Sequence, residues 1–442
     1  MFSKILIANR GEIALRIIRA CREMGIETVI VYSQADADTL PVALADEAVC
    51  IGDTAVRDSY LNVNNILSAA EITGAEAIHP GYGFLSENAD FAESAEKSGV
   101  IFIGPSSAII RMMGDKAEAR KTALSVGVPV IPGSGIINKG DDIHSFAEKI
   151  GYPLLVKASA GGGGKGIRAV FSTNELSAAV SQASAEAESA FGDGSVFLEK
   201  YLSSVRHVEI QVIADRFGNA LSLGERDCSL QRNKQKVIEE TPCPALSPET
   251  REKMEECALK LIRKVGYTGL GTVEFLLSPD GNFYFIEMNT RLQVEHPITE
   301  QRYGVDLVKW QIRTAAGVAL NFTKDDLSPA GSSIEIRINA RTTGKISFLH
   351  IPGGFGVRFD SAISDGEVIK PYYDSMIGKL IVHAATREEA IRKADTALCE
   401  TVIQGIETNI SDQLSIIRSE GFRSGNYDTA YITRLDKERD NI

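Results

Sequence analysis

The sequence holds little of what most readily betrays a function. Six cysteines lie scattered over 442 residues, at positions 21, 50, 228, 243, 257 and 399, with no CxxC pair and no zinc-ligand spacing. That pattern argues against a disulfide framework or a structural zinc site and reads as reduced thiols in a cytosolic protein. No uninterrupted apolar stretch approaches the roughly 18 residues that cross a bilayer, and residues 4–8 (KILIA) open a strand pattern with no leader-like segment ahead of them. A soluble, cytoplasmic protein is expected. Basic charge is short: 47 Lys and Arg stand against 59 Asp and Glu, for a net −12, and no basic tract occurs. This argues against duplex nucleic acid or a membrane surface as the main partner, while a local cationic pocket for a small anion stays open. Catalytic signatures are short too: the first turn, NRGE, lacks GxGxxG, there is no P-loop, no HExxH and no GxSxG, and Cys228 has no obvious base beside it.

What is present is an ordinary globular composition, 44% hydrophobic and 24% charged, with length for two to four domains of roughly 100–200 residues. Apolar runs at 4–8, 28–33 (TVIVYS), 75–78 and 100–104 (VIFIG) alternate with helix-like stretches at 12–24 and 60–73. Such alternation predicts a parallel, doubly wound sheet. A helix-like segment at 115–126 leads into short strands and loops, including GGGGKG at 161–166, which predict a small α+β unit. Strands dominate from 207 to 296, a helix-like run covers 304–317, and the polar join at 325–333 reads as a domain boundary.

The most informative stretch is 272–296, TVEFLLSPDGNFYFIEMNTRLQVEH. Asp280-Gly281 has the composition of a two-residue type I′ turn. Pairing outward from such a turn sets Glu274 opposite Glu287, with Cβ atoms about 4.5–5.5 Å apart, a destabilising placement of like charges. Two such carboxylates need a cation or a shared proton, and an all-oxygen site suits Mg²⁺. Beyond Glu287, alternation predicts that Glu287, Asn289, Arg291, Gln293 and Glu295 share one side of an extended chain. That side is either a binding face or a solvated one.

A second stretch, LLVKASAGGGGKG, ends an apolar run on Lys157 and continues into four glycines. It reads as a flap whose backbone N–H groups close over phosphate, or as a solvated loop. Lys116, Lys234 and Lys236 are singly either surface lysines or nucleotide contacts, and His207 is as readily structural as functional. Together the carboxylate hairpin and the glycine flap suggest ATP-dependent chemistry.

Over nearly its whole length the sequence resembles biotin carboxylase, the ATP-grasp component of biotin-dependent carboxylases. The likeness is carried, in order, by KILIANRGEIALRIIRAC (4–21), AIHPGYGFLSEN (77–88), KASAGGGGKGIR (157–168), RHVEIQV (206–212), ERDCSLQR (225–232), EMNTRLQVEHPITE (287–300), GGFGVR (353–358) and PYYDSMIGKL (371–380). It implies a mixed α/β and α+β fold. A doubly wound N-terminal domain would cover 1–113 and an ATP-grasp core 114–325, with a mobile glycine-rich lid at about 129–202. A C-terminal biotin carboxylase domain would cover 326–442. The implied activity is that of a ligase. Bicarbonate attacks the γ-phosphate of ATP in the presence of Mg²⁺ (or Mn²⁺), and the resulting carboxyphosphate delivers CO₂ to biotin on a separate biotin carboxyl carrier protein.

The same resemblance implies the site. Lys116, Lys157, His207, Gln231 and Lys234 would contact nucleotide under a flap that includes Gly162, Gly163 and Gly164. Glu199 and the backbone of Lys200 and Leu202 would hold adenine, and Lys236 would approach the phosphates. Glu274, Glu287 and Asn289 would hold the metal; Arg291, Gln293 and the Val294 backbone would hold bicarbonate. Glu295 would deprotonate bicarbonate and Arg337 would stabilise the biotin anion. Arg19, Glu23, Phe355 and Arg358 match homodimer-interface positions, and carboxyltransferase subunits are implied as further partners, with the acetyl-CoA carboxylase of fatty acid biosynthesis as the first assignment.

Two stretches depart from the family pattern. After Ala340 about ten residues of loop are missing, and Lys234 stands where the family usually has His. The alternatives are the biotin carboxylase subunit of another acyl-CoA or pyruvate carboxylase, and a non-catalytic ATP-binding relative in which the shortened loop has impaired the biotin site. GGFGVR and PYYDSMIGKL weigh against another bicarbonate-activating ATP-grasp ligase of the carbamoyl-phosphate type.

Overall fold

The computed structural model describes residues 1–138, 140–158, 167–191 and 193–440. Gly162, Gly163 and Gly164 therefore lie outside the described residues. The first hundred residues form the expected parallel sheet, in the order Glu47–Gly52, Glu27–Ser33, Lys4–Ile7, Ala77–His79, Ile101–Phe102. The edge strand Glu47–Gly52 is an addition to the sequence reading. Its apolar run, Ala48-Val49-Cys50-Ile51, is short, and only Ile51 is buried. The strand order reverses at Lys4–Ile7, and the chain leaving that strand and Ala77–His79 (Asn9–Glu12 and Tyr82) lines the large cleft of the molecule. Crevices at such switch points are where open α/β sheets bind ligands.

The larger sheet has eight strands, in the order Phe283–Asn289, Gly269–Leu277, Arg206–Ala214, Ala220–Arg232, Gln235–Thr241, Ser332–Asn339, Met376–Ala384, Val357–Ser361. Alternation explains its two faces. Val208, Ile210, Val212, Val273 and Phe275 pack on Met254, Ala258, Leu261 and Ile262 of the helix Pro248–Lys264. His207, Glu209, Gln211 and Glu274 are therefore turned to the opposite face. The sheet crosses the join at 325–333 without a break, because Gln235–Thr241 pairs with Ser332–Asn339. A separate four-stranded sheet, in the order Gly133–Ile136, Val196–Lys200, Leu154–Ala158, Ile167–Val170, has its own core of Leu154, Val156, Val170, Leu176, Val196 and Leu198.

Two local expectations are corrected. The turn at Asp280-Gly281 is not a two-residue type I′ turn. Ser278 faces Asn282 across a three-residue loop, with Ser278 N–H donating to Asn282 O at 2.8 Å and Gly281 N–H to Ser278 O at 3.0 Å. Pro279 pre-sets the first turn position, and Gly281 takes φ 84°, a left-handed conformation suited to glycine. The residues with the positive φ pair of a type I′ turn are instead Asn233 and Lys234 (52° and 66°), joining the strands that end at Arg232 and start at Gln235. The second correction concerns 287–295, where the strand stops at Asn289 and Glu295 stands just before the helix His296–Tyr303 without a side-chain capping bond. Pro297, in the first turn of that helix, favours a helix start there.

Candidate active site

Glu274 does face Glu287, although by a different route from the one expected. The three-residue turn alone would slip the register and set Glu274 against Ile286. A β-bulge between Phe285 and Glu287 restores the pairing, since Phe275 pairs with Phe285 while Glu274 pairs with Glu287. Glu274 also pairs with Glu209 on its other side, and Glu209 with Arg226. One row across four strands thus reads Glu287, Glu274, Glu209, Arg226. Three carboxylates stand side by side, closed at one end by a fully buried guanidinium.

The row is compensated from several directions. Arg226 donates to Glu209 Oε1 (2.6 Å), Gln211 Oε1 (2.7 Å) and Thr299 Oγ1 (2.9 Å). Lys236 Nζ reaches Glu209 Oε2 (2.7 Å), Glu274 Oε1 (3.1 Å) and Glu295 Oε1 (2.7 Å). A second bulge places it there. Ile238 pairs with Leu230 but Lys236 with Gln231, so Val237 is the extra residue; Val237 and Ile238 both pack on the C-terminal core, and Lys236 turns to the other face. Burial works against the ammonium, but the surrounding Cys228, Glu209, Glu274 and Glu295 hold it charged. His207 Nε2 lies 2.8 Å from Glu274 Oε2, and its Nδ1 lies 2.9 Å from Gln231 Nε2. Burial favours the neutral imidazole, yet Glu274 outweighs it and raises the histidine above its ordinary value. For Glu274 burial is likewise outweighed, by Lys236 and His207, so its carboxylate is held ionised.

Glu287 differs. Burial and the charge of Glu274 push its carboxyl above the ordinary value, with Lys116 opposing. Two opposed carboxylates with unrelieved negative charge are the donor set that a hard divalent cation fits. Asn289 stands beside them, its Nδ2 donating to Glu274 Oε1 at 2.8 Å. Its Oδ1 accepts from Arg291 Nη2 at 2.9 Å. Arg291 further donates to Glu87 Oε2 (2.8 Å) and Gln293 Oε1 (3.0 Å). Although strand alternation ends at Asn289, the loop after it still brings Arg291 and Gln293 to the carboxylate row.

Glu295 is fully buried beneath this surface, bonded to Lys236 through Oε1 and to Arg337 Nη2 through Oε2 at 3.0 Å. Burial would raise its carboxyl, but Lys236, Arg337 and Arg226 hold it well below the ordinary range. Arg337 is backed by Glu239, whose Oε1 accepts from Nε at 2.7 Å and from Nη2 at 2.6 Å. The Val294 carbonyl accepts from the buried Lys379 at 2.5 Å.

A cleft of about 830 Å³ gathers His207, Gln231, Lys234, Lys236, Glu274, Glu287, Asn289, Arg291, Gln293, Val294 and Arg337. Besides the buried Glu295, five expected residues among those described do not line it. Lys116 begins the helix Lys116–Ser125 and is exposed. Lys157, Glu199 and Lys200 belong to the four-stranded sheet, with Leu202 just beyond it. There Lys157 Nζ is ion-paired with Glu199 Oε2. Lys200 N–H donates to Pro132 O at 2.8 Å. A proline has no N–H to return, so the Lys200 carbonyl faces a strand partner that cannot donate to it. The ammonium of Lys200 is spent on the Gly151 and Tyr152 carbonyls.

Sequence reading missed Glu209, Arg226, Glu239 and Glu87. For Glu209 the signal was present, because RHVEIQV places it on the same side as His207. For Arg226, Glu239 and Glu87 it was not, since their roles depend on strand order and on contacts across more than 90 residues of chain, except for Arg226–Glu209.

Comparison with known proteins fits this geometry. Residues 1–110 match the biotin carboxylase N-terminal domain, 115–323 the carbamoyl-phosphate synthase L chain ATP binding domain, and 337–434 the biotin carboxylase C-terminal domain. A fold and cleft so matched define an ATP-grasp ligase. More particularly, the chain belongs to the biotin carboxylase family of ATP-dependent ligases. It is 53% identical to biotin carboxylase 1 of Bacillus subtilis, with 99% of each chain covered. It is 51% identical to a pyruvate carboxylase subunit of Methanothermobacter thermautotrophicus, over 98% of this chain and 90% of that one. Among solved structures, the biotin carboxylase domain dimer of Hydrogenobacter thermophilus 2-oxoglutarate carboxylase, in complex with MgADP, ADP and bicarbonate, superposes with a TM-score of 0.91. The two are 47% identical over 99% of this chain and 98% of that one.

Proposed function

We propose that this chain carboxylates biotin held on a separate biotin carboxyl carrier protein, using ATP and bicarbonate, as the biotin carboxylase subunit of an acetyl-CoA carboxylase. The observation that carries the chemistry is Lys236, bonded at once to Glu274 and to Glu295. ATP would enter between the cleft and the four-stranded sheet. Lys116, Lys157, His207, Gln231 and Lys234 would contact it, and Glu199 with the Lys200 and Leu202 backbone would hold the adenine. Glu274, Glu287 and Asn289 would hold Mg²⁺ or Mn²⁺, which when bound neutralises phosphate oxygens. Arg291, Gln293 and the Val294 backbone would seat bicarbonate within reach of Glu295.

Held by Lys236 and Arg337, Glu295 is a weak base. Arrival of the γ-phosphate gives Lys236 a competing anion; as the ammonium leaves Glu295, the carboxylate gains proton affinity and can deprotonate bicarbonate. Bicarbonate oxygen then bonds to the γ-phosphorus and ADP leaves. Carboxyphosphate yields CO₂ and phosphate, the released phosphate takes the N1 proton of biotin, and Arg337 stabilises the resulting biotin anion, whose nitrogen bonds to CO₂. The chain would act as a cytoplasmic homodimer with carboxyltransferase partners. The segment after Ala340 is short but anchored: Arg341 N–H donates to Glu407 O at 2.7 Å and its guanidinium pairs with Asp412. Nothing in that arrangement favours a non-catalytic reading.

Bicarbonate-dependent ADP release, measured with and without free biotin, tests the proposal; stimulation by biotin is expected. Glu295→Gln should bind ATP normally and lose turnover by about 10²–10⁴-fold, the usual worth of a positioned base. Unchanged turnover would remove Glu295 from that role. Co-purification of a biotinylated protein with an acetyl-CoA carboxyltransferase tests the acceptor, and capture of a pyruvate-type partner would replace it.

A further inference from the structure

Behind Arg337 the sheet repeats the problem of the carboxylate row in a sealed place. Glu239 and Glu335 are directly opposed on adjacent antiparallel strands, so their side chains share a face with Cβ atoms about 4.5–5.5 Å apart. Both are fully buried, and neither lines the cleft. Glu239 Oε1 takes two contacts from Arg337, while Glu239 Oε2 and both oxygens of Glu335 have no hydrogen-bond partner among the described residues. An ionised carboxylate with no donor, out of water and beside another carboxylate, is too costly to persist.

The groups facing the pair are few. Lys236 and Glu295 lie on the Arg337 side. Lys379 lies on the next strand, but its ammonium is bonded to Glu12 Oε1 (3.2 Å) and Val294 O, with Tyr82 donating to the same Glu12. Arg337 is thus the one cation hydrogen-bonded to either glutamate among the described residues, and it is bonded to Glu239. We propose that Glu239 and Glu335 form a buried one-proton carboxyl pair, Glu239 ionised and Glu335 a neutral acid, that positions Arg337 for the biotin half of the reaction. The pair works through Arg337. Glu239 grips the guanidinium from behind while Glu295 takes it in front, and a neutral Glu335 keeps a second charge from competing. The part assigned to Arg337 rests on the biotin carboxylase reading. Burial, partly opposed by Arg337, raises Glu239 to about 7; burial, opposed by Lys379 and supported by Glu239, raises Glu335 well above its ordinary value.

Two isosteric variants of the full chain separate the members. Glu335→Gln copies a neutral acid and should keep the biotin-dependent rate within about threefold. Glu239→Gln removes the charge that grips Arg337 and should lower that rate by about a hundredfold, the scale of a small misplacement at a reacting group. Biotin-independent, bicarbonate-dependent ADP release should fall less. The wild-type rate should also drop as Glu239 takes up a proton near pH 7, and that component should vanish in Glu239→Gln while limbs due to the substrates remain.

Infrared difference spectra at about pH 8 read the proton directly. The carboxylic-acid carbonyl band should be lost in Glu335→Gln and kept in Glu239→Gln. Equal kinetic losses in the two variants, or a band that survives Glu335→Gln, would overturn the proposal. If neither variant folds, a wild-type spectrum without any buried acid band above pH 7 overturns it as well. Absence of biotin stimulation in the wild type would sink the functional reading alone, because the infrared result still judges the pair.

Discussion

Two pairs of glutamates, Glu274 with Glu287 and Glu239 with Glu335, are directly opposed across antiparallel strands of the same eight-stranded sheet. The first pair opens on the cleft and is surrounded by exchangeable positive partners: Lys236, His207 and the cation its oxygens would accept. The second is sealed, and among the described residues only one of its members has a cation bonded to it. Like charges forced together must be relieved, and whether the relief is a cation or a proton follows from access. Where ligands enter, a movable cation leaves the charges available for chemistry. Where nothing enters, a proton fixes them.

The sharpest way to break this comparison is to remove the cation. In Lys236→Gln, Glu209, Glu274 and Glu295 lose the ammonium they share. Bicarbonate-dependent ADP release should fall by about 10²–10³-fold, the usual cost of deleting a preorganised electrostatic group. The chain should still fold, with a lowered melting temperature, because the carboxyls left behind take up protons. Wild-type turnover in this variant would dissolve the distinction between the two pairs. A smaller effect is expected from Glu287→Gln. With one charge of the open pair gone, the metal-free protein should melt higher than wild type, and half-maximal activity should require about 10–100-fold more Mg²⁺. Thermal melts and Mg²⁺ titrations check both halves; a metal-free melting temperature below wild type would show that Glu287 is not under repulsion.

The two pairs also differ in how far the sequence reveals them. Glu274 and Glu287 sit 13 residues apart around one hairpin, so local pairing found them, although the turn was misjudged by one residue and the bulge before Glu287 happened to repair the register. Local composition distinguishes a two-residue from a three-residue turn poorly, because Asp-Gly serves both, and Pro279 was the discriminating residue. Glu239 and Glu335 are 96 residues apart and meet only because the sheet continues from Gln235–Thr241 into Ser332–Asn339. That is strand order, which alternation within one segment does not encode. Lys236 shows a third case. Its identity was visible, but its direction depends on the bulge at Val237. The parallel sheet of the first hundred residues was legible except for Glu47–Gly52, whose four-residue apolar run at 48–51 is too short for periodicity to tell strand from buried helix.

The mildest perturbation tests the sealed pair through stability alone. A carboxyl whose folded value lies above its unfolded one favours the native state while it keeps its proton; that contribution is complete below about pH 4, the unfolded range, and is lost as pH rises through the folded value. For Glu335, raised by burial, with Lys379 opposing and Glu239 adding to it, the loss runs upward from that range to the folded value. As pH rises above about 4 the wild type should therefore lose melting temperature more steeply than Glu335→Gln, in which nothing at that position can ionise. Tyrosine, lysine and cysteine titrations are common to both proteins and cancel in the difference. Below about pH 4 the two curves should run parallel, because Glu335 is protonated in both the folded and the unfolded chain there. Parallel curves above that range as well would mean that the fold holds no extra proton on Glu335. The open pair has the opposite sign at Glu274, whose ionised form the fold favours, so acid rather than alkali should weaken its contribution. One sheet would then carry two like-charge pairs whose contributions respond to pH with opposite sign.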